Sequence, residues 1–231
     1  MMDKAAVIEK ICGAFAGTEF PGAAFLQGTF EGCEPYEEVG PFQSRPDWRN
    51  MEADFLDGHA NALCFFSEGG FRFFLPAYLL ADLNDQLHTA NPVFHLTHGF
   101  TDTAVKVPVQ DRQFPLKTGR TLFINPRRYG AATFYDYVRF RLSVFTREEA
   151  GAIVAYLRFK RDFDPSGNNR ETIEAALQLF WLGREQTAPS AEELRQYLAE
   201  QAELLAATAS QTGQLSPTPP PAASRCDPHG G

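Results

Sequence analysis

Phe71-Arg72-Phe73-Phe74-Leu75-Pro76-Ala77-Tyr78-Leu79-Leu80-Ala81 is the stretch on which the fold turns. Only Arg72 is charged in it. Apolar residues at 71, 74, 75, 78 and 79 share one helical face, and a second row at 73, 80, 83 and 87 lies on the other side. A helix apolar nearly all round is buried on several sides, so this one is expected at the centre of the core. It is too short to span a bilayer, which takes about 20 apolar residues. Pro76 removes a backbone donor and crowds the carbonyl four residues earlier, so a kink or a late helix start is expected there. Asp82, Asn84 and Asp85 return the chain to water.

The Phe-Arg-Phe-Phe-Leu-Pro-Ala-Tyr run, with Trp48, the lead-in Phe65-Phe66-Ser67 and the helix start Thr146-Arg147-Glu148-Glu149, resembles an uncharacterised bacterial family, a domain of unknown function, over roughly residues 1–185. The resemblance implies a small, mainly helical, soluble bacterial protein. It carries over no chemistry and no cofactor.

With 231 residues, 44% hydrophobic, and 21 phenylalanines, the chain can bury a substantial single core. Its net charge of −8 disfavours sequence-independent binding to nucleic acid, which relies on Lys and Arg at phosphates. Cys12, Cys33, Cys64 and Cys226 are isolated, with no C-x-x-C pair, so free thiols in a reducing cytoplasm are expected rather than a thiolate zinc site or a disulfide framework. Asp3 and Glu9 interrupt the N-terminus, which does not read as a signal peptide, and no stretch reads as a membrane span.

Residues 3–16 read as an amphipathic helix with Asp3 as N-cap and Val7, Ile8, Ile11 and Phe15 as its stripe. Residues 17–46 read as a long irregular connection with room for one short strand, whose aromatics Phe20, Phe25, Phe30, Tyr36 and Phe42 could pack it onto the core. Pro46-Asp47-Trp48 opens a helix expected to run to about 66, and Ser67 caps the central helix, whose first turn Gly69 and Gly70 weaken by about 1 kcal/mol each relative to Ala. Asn91-Pro92 starts a short helix over 92–98 that Gly99 ends. Residues 104–110 and 121–125 are expected to pair as a hairpin with its loop through Lys117-Thr118-Gly119. Residues 138–144 alternate with period two and read as a strand, with helix as the rival. Thr146 and Glu149 form a capping box ahead of a helix to about 161, another helix covers 168–183, and Ser190 with Glu193 starts a last one. The fold expected is mainly α with a small β-hairpin element over 1–208, followed by a disordered Pro-rich tail over 209–231.

Three constellations could carry chemistry. His88, His95, His98 and Asp102 cluster in sequence, and His95, His98 and Asp102 are the candidate metal ligands, although the spacing matches no zinc signature and His98 also suits a helix C-terminus. Arg127-Arg128-Tyr129 is the candidate anion-binding corner, in a segment (106–128) of net charge +5 from six basic residues and Asp111. That segment could equally neutralise residues 31–57, where eight acidic residues face Arg45 and Arg49 for a local charge of −6. Cys64 and His59 stand five apart on one expected helix, about 140° apart around it, and read as core residues rather than a nucleophile pair. No catalytic frame appears. The function expected is a cytoplasmic, non-enzymatic binding or accessory protein whose partner is another protein, with no nucleic acid and no membrane; the alternative is a metal-dependent enzyme using the His/Asp cluster at 88–102.

Overall fold

The computed structural model describes residues 3–30, 32–100, 103–109, 112–118, 141–163 and 167–195, with the backbone alone for 103–109 and 112–118. The chain divides into two compact units, Met1–Ala188 and Pro189–Gly231.

The first unit is mainly helical. Helix α1 (Lys4–Ala14) starts where the Asp3 carboxylate accepts from the Ala6 amide at 2.7 Å. Helix α2 (Glu34–Val39) lies in the connection read as irregular. The expected Trp48–Phe66 helix is broken into a 3-10 turn Trp48–Asn50, α3 (Ala53–Gly58) and α4 (Ala62–Phe65). The apolar stripe survives the breaks because Trp48, Leu56 and Leu63 are all buried. The break at His59 leaves its carbonyl to accept the Tyr78 hydroxyl at 2.9 Å.

Helix α5 (Glu68–Leu83) is the core helix anticipated at 71–81, with eleven of its residues buried. It runs through Pro76 without starting late, so the Arg72 carbonyl lacks the amide donor that a continuous ladder supplies. Gly70 of its first turn and Gly28 of the connection before it have a use. A Cβ on Gly70 would stand 2.7 Å from the Leu26 carbonyl oxygen, and one on Gly28 would stand 2.8 Å from that of Phe66. The two glycines let residues 25–28 lie against the start of α5, where Ser67 N donates to Leu26 O at 2.7 Å and Gly28 N to Phe65 O at 2.8 Å. The Ser67 hydroxyl caps Gly70 N and donates to Phe25 O at 2.5 Å.

After α5, helix α6 (Pro92–Thr97) begins at Asn91, whose side chain accepts from Phe94 N at 3.0 Å, and Gly99 follows with φ +90°. The expected pairing of 104–110 with 121–125 is not supported. Strand β1 (Thr103–Val109) pairs antiparallel with β2 (Arg112–Thr118), so Lys117 and Thr118 lie in a strand instead of a loop, and 121–125 falls outside the described residues. Of the expected strand 138–144, the described residues Arg141 and Leu142 are helical and 143–144 turn. Alternation there places Leu142 in the core and leaves Ser143 half-exposed, which a helical turn does equally well.

Helix α7 (Arg147–Phe163) is buried at every position from Glu149 to Leu157. Ala150, Gly151, Ala152 and Ala155 keep its surface low, which lets α1 and the later helices approach it closely. Helix α8 (Arg170–Ala176), a π segment (Leu177–Trp181) and α9 (Leu182–Thr187) form one helical path where a single helix over 168–183 was expected. Trp181 anchors it by donating its indole N–H to the Leu96 carbonyl at 2.8 Å. In the second unit, Ser190 and Glu193 make the expected capping box, with Glu193 N to Ser190 Oγ at 3.2 Å and Ser190 N to Glu193 Oε2 at 2.7 Å. Residues 209–231 lie outside the described residues.

Candidate functional site: an acidic, aromatic face

Several buried polar groups tie the helices of the body together. The Glu149 carboxylate, 1% exposed, accepts from Arg72 Nε at 2.9 Å and Nη2 at 2.8 Å, from Thr18 Oγ1 at 2.9 Å and from Thr146 N at 2.9 Å. The capping box was legible in the sequence; that its carboxylate also binds the one charge of the 71–81 run was not. A second tie joins the far ends of the same helices, where Tyr156 donates to Asp82 Oδ2 at 2.5 Å and Lys160 Nζ stands 3.0 Å from the same oxygen. Burial, then the Asp82 charge and hydrogen bond, hold the Tyr156 phenol protonated well above its usual range. It is a donor here, not a base.

The candidate metal ligands are placed in part. His95 lies on α6, with ring contacts to Phe71 at 6.5 Å and Phe94 at 5.4 Å between centroids. Burial, with the charges of Arg141 and His98 behind it, pulls its pKa down to about 3, so it is neutral at physiological pH. His98 caps α6 in an extended conformation and stacks on Phe94 at 4.5 Å. Asp102 lies outside the described residues, as do Arg127, Arg128 and Tyr129. Among the described residues no group of three His, Cys, Asp or Glu side chains is placed to hold a metal ion. Cys64, expected in the core, is exposed instead, and partial desolvation of its thiol raises its pKa, against nucleophilic use.

The acidic segment 31–57 turns out to have two uses. Asp47 caps Arg49 N, and Asp57 Oδ1 accepts the amides of His88, Thr89 and Ala90 at 2.9, 2.7 and 2.9 Å. Burial pushes the Asp57 carboxyl up, but those three amides outweigh it and hold the carboxyl below its ordinary value. Glu38 is half-buried, and burial lifts its carboxyl above the ordinary value despite His59 and the amides of Asn61 and Ala62. Glu34, Glu37, Glu52 and Asp54 stay exposed.

Tyr36 stands between Glu34 and Glu37 on α2, and it and two other aromatics expected to pack on the core are exposed instead. Phe25 is 65% exposed, Phe30 62% and Tyr36 53%, and the rings of Phe30 and Tyr36 meet edge to face at 6.4 Å. Phe20 and Phe42, from the same connection, do reach the core rings Phe73 and Phe74. The face is built on a fixed base, since 25–28 is hydrogen-bonded to the start of α5 and Glu34 Oε1 accepts from Asn61 Nδ2 at 3.2 Å. No sequence signal separated the exposed aromatics from the packed ones.

Residues 3–185 match a family described as a family of unknown function, DUF6714, and the chain belongs to it. The expectation of an uncharacterised domain over roughly 1–185 is met at that level. No curated protein and no solved structure matches the chain. No helix among the described residues is long and apolar enough to cross a membrane.

Proposed function

We propose that the protein is a non-enzymatic binding protein that captures a basic segment of another protein on the face formed by residues 25–37. The observation that carries the reading is the exposure of Phe30 and Tyr36, whose rings meet, with the exposed carboxylates Glu34 and Glu37 on the helix of Tyr36; Phe25, also exposed, precedes them in the chain. Aromatics are enriched at the centres of interfaces and carry much of their binding energy. Ring faces and carboxylates both attract Lys and Arg, which points to a cationic partner with apolar side chains of its own. The buried polar groups favour this reading over catalysis, because Glu149, Asp82 and Tyr156 are each engaged in ties between helices. The free thiols Cys12, Cys33 and Cys64 accord with a cytoplasmic protein. The arginine corner Arg127-Arg128-Tyr129 enters as a second contact, meeting acidic groups of the same partner.

The test compares wild-type protein with a Phe30→Ser/Tyr36→Ser variant and a Glu34→Lys/Glu37→Lys variant, as baits in lysate and against immobilised Lys/Arg-rich peptides that also contain aromatics. Binding that weakens with salt and drops at least tenfold in both variants, with circular dichroism unchanged, supports the reading. Identical captured sets and peptide affinities in all three proteins overturn it. Charge reversal at Arg127 and Arg128 tests the second contact in the same assay. Elemental analysis of untagged protein tests the metal-enzyme alternative: a stoichiometric metal lost in His95→Ala would displace the binding reading.

A further inference from the structure

A cavity of about 260 Å³ opens beside the C-terminal end of α5, lined also from α1, α7 and the start of α8. One part of its wall is apolar, from Leu83, Phe159, Phe163 and Ile173. The other part is charged, from Lys4, Asp82, Asp85 and Lys160. An apolar wall with a few convergent polar groups is the ordinary make-up of a small-ligand site, and the volume lies just under the low end of the range for drug-sized guests, about 300–1,000 Å³.

The charges are not equivalent. Asp82 and Lys160 satisfy each other at 3.0 Å, and Tyr156 completes the carboxylate from beneath. Lys4 and Asp85 line the same cavity, and neither makes an ion pair among the described residues. Asp85 is exposed and Lys4 half-exposed, so one anion and one cation stand at the mouth of the cavity with no protein counter-charge among the described residues. Asp85 is also held in an unusual conformation, with φ +57°, the only non-glycine residue at positive φ among those described. It closes α5 as the left-handed residue of a Schellman motif, in which Gln86 N donates to Ala81 O at 3.0 Å and Asp85 N to Asp82 O at 3.1 Å. Glycine is the residue that suits this position, so the aspartate costs stability that its side chain does not recover within the protein.

We infer that this cavity binds a free α-amino acid with an apolar side chain. Lys4 takes its carboxylate, Asp85 its ammonium group, and Phe159 and Phe163 its side chain, with the buried Leu83 and Ile173 backing those rings. The Tyr156–Asp82–Lys160 tie keeps the α5–α7 edge of the site rigid and leaves its charge neutral. This site stands apart from the acidic face and does not depend on it.

Saturation-transfer NMR and calorimetry on the full chain, with leucine and phenylalanine as probes and N-acetyl-leucine, leucinamide and glycine as controls, test the inference. Leucine or phenylalanine should bind, and the two blocked forms and glycine should lose at least tenfold. Asp85→Asn keeps a residue that tolerates the left-handed conformation, and Lys4→Gln removes a charge that makes no ion pair within the described protein. Each should weaken binding at least tenfold while leaving the melting temperature within a few degrees of wild type. Asp85→Gly should raise the melting temperature and abolish binding. No transfer from either probe at millimolar concentration overturns the inference, as does binding that is equal for the blocked forms or unchanged in Asp85→Asn and Lys4→Gln.

Discussion

Around α5, Phe71 and Phe74 have no exposed surface; in the connection before it, Phe25 and Phe30 leave 65% and 62% of theirs in water. Phe25 sits on backbone hydrogen-bonded into the fold, as the α5 rings do, so its exposure is a matter of where the chain points it. Phe74 is ringed by Phe20, Phe42, Phe66 and Phe73 at centroid distances from 4.9 to 6.3 Å. Phe30 has ring contact with Tyr36 alone among the described residues. The same side chain therefore stabilises the fold in one region and, in the other, is apolar surface that folding leaves uncovered. The first kind of residue is read out in stability, the second in binding.

The comparison breaks most visibly at the core. Phe74→Ala removes a side chain from the middle of the ring cluster and should cost about 3–5 kcal/mol in denaturant unfolding. Glu149→Ala leaves the Arg72 guanidinium, 14% exposed, without its carboxylate, and should cost about 3–5 kcal/mol as well. A loss under 1 kcal/mol would show, for Phe74, that the ring cluster around it and, for Glu149, that the tie between α5 and α7 is not what the distances imply. Tyr156→Phe deletes one hydrogen bond to a charged acceptor that keeps Lys160, so a loss of about 1.5–3 kcal/mol is expected.

His95 sharpens the comparison through pH. Its pKa is depressed to about 3 in the folded protein, below the value near 6.5 of an unfolded chain. Between those values the unfolded chain holds the extra proton, so this residue's contribution makes stability fall as pH drops from about 6.5 towards 3. His95→Leu should flatten that part of the stability curve; an unaltered slope would mean the imidazole is solvated. The smallest effect is expected on the acidic face, where Phe30→Ser should move stability by no more than about 0.5 kcal/mol while reducing binding. A larger destabilisation would assign Phe30 to the fold and weaken the proposed function.

The elements legible in the sequence were those set by local rules. The 71–81 helix followed from apolar positions on every side, and Asp3, Ser67, Asn91 and Thr146 capped their helices because a short polar side chain reaches the free amides of a first turn. The breaks at Met51 and His59 were not legible, because three short helices can share one apolar stripe as well as a single long one. The pairing of β1 with β2 was misplaced, because period-two alternation fixes which residues share a face but not which strand lies opposite.

Sequence by itself determined that this chain buries an aromatic helix, caps α1, α5, α6 and α7 with side chains and divides its charge into acidic and basic segments. Only the tertiary structure decided that Glu149 reaches Arg72 and Thr18, that Gly28 and Gly70 admit a crossing backbone, and which of the aromatics before α5 stay in water. Periodicity and capping act over a few residues, within reach of one stretch of sequence. Ion pairs, close approaches and burial depend on residues brought together from distant parts of the chain, and no local pattern records them.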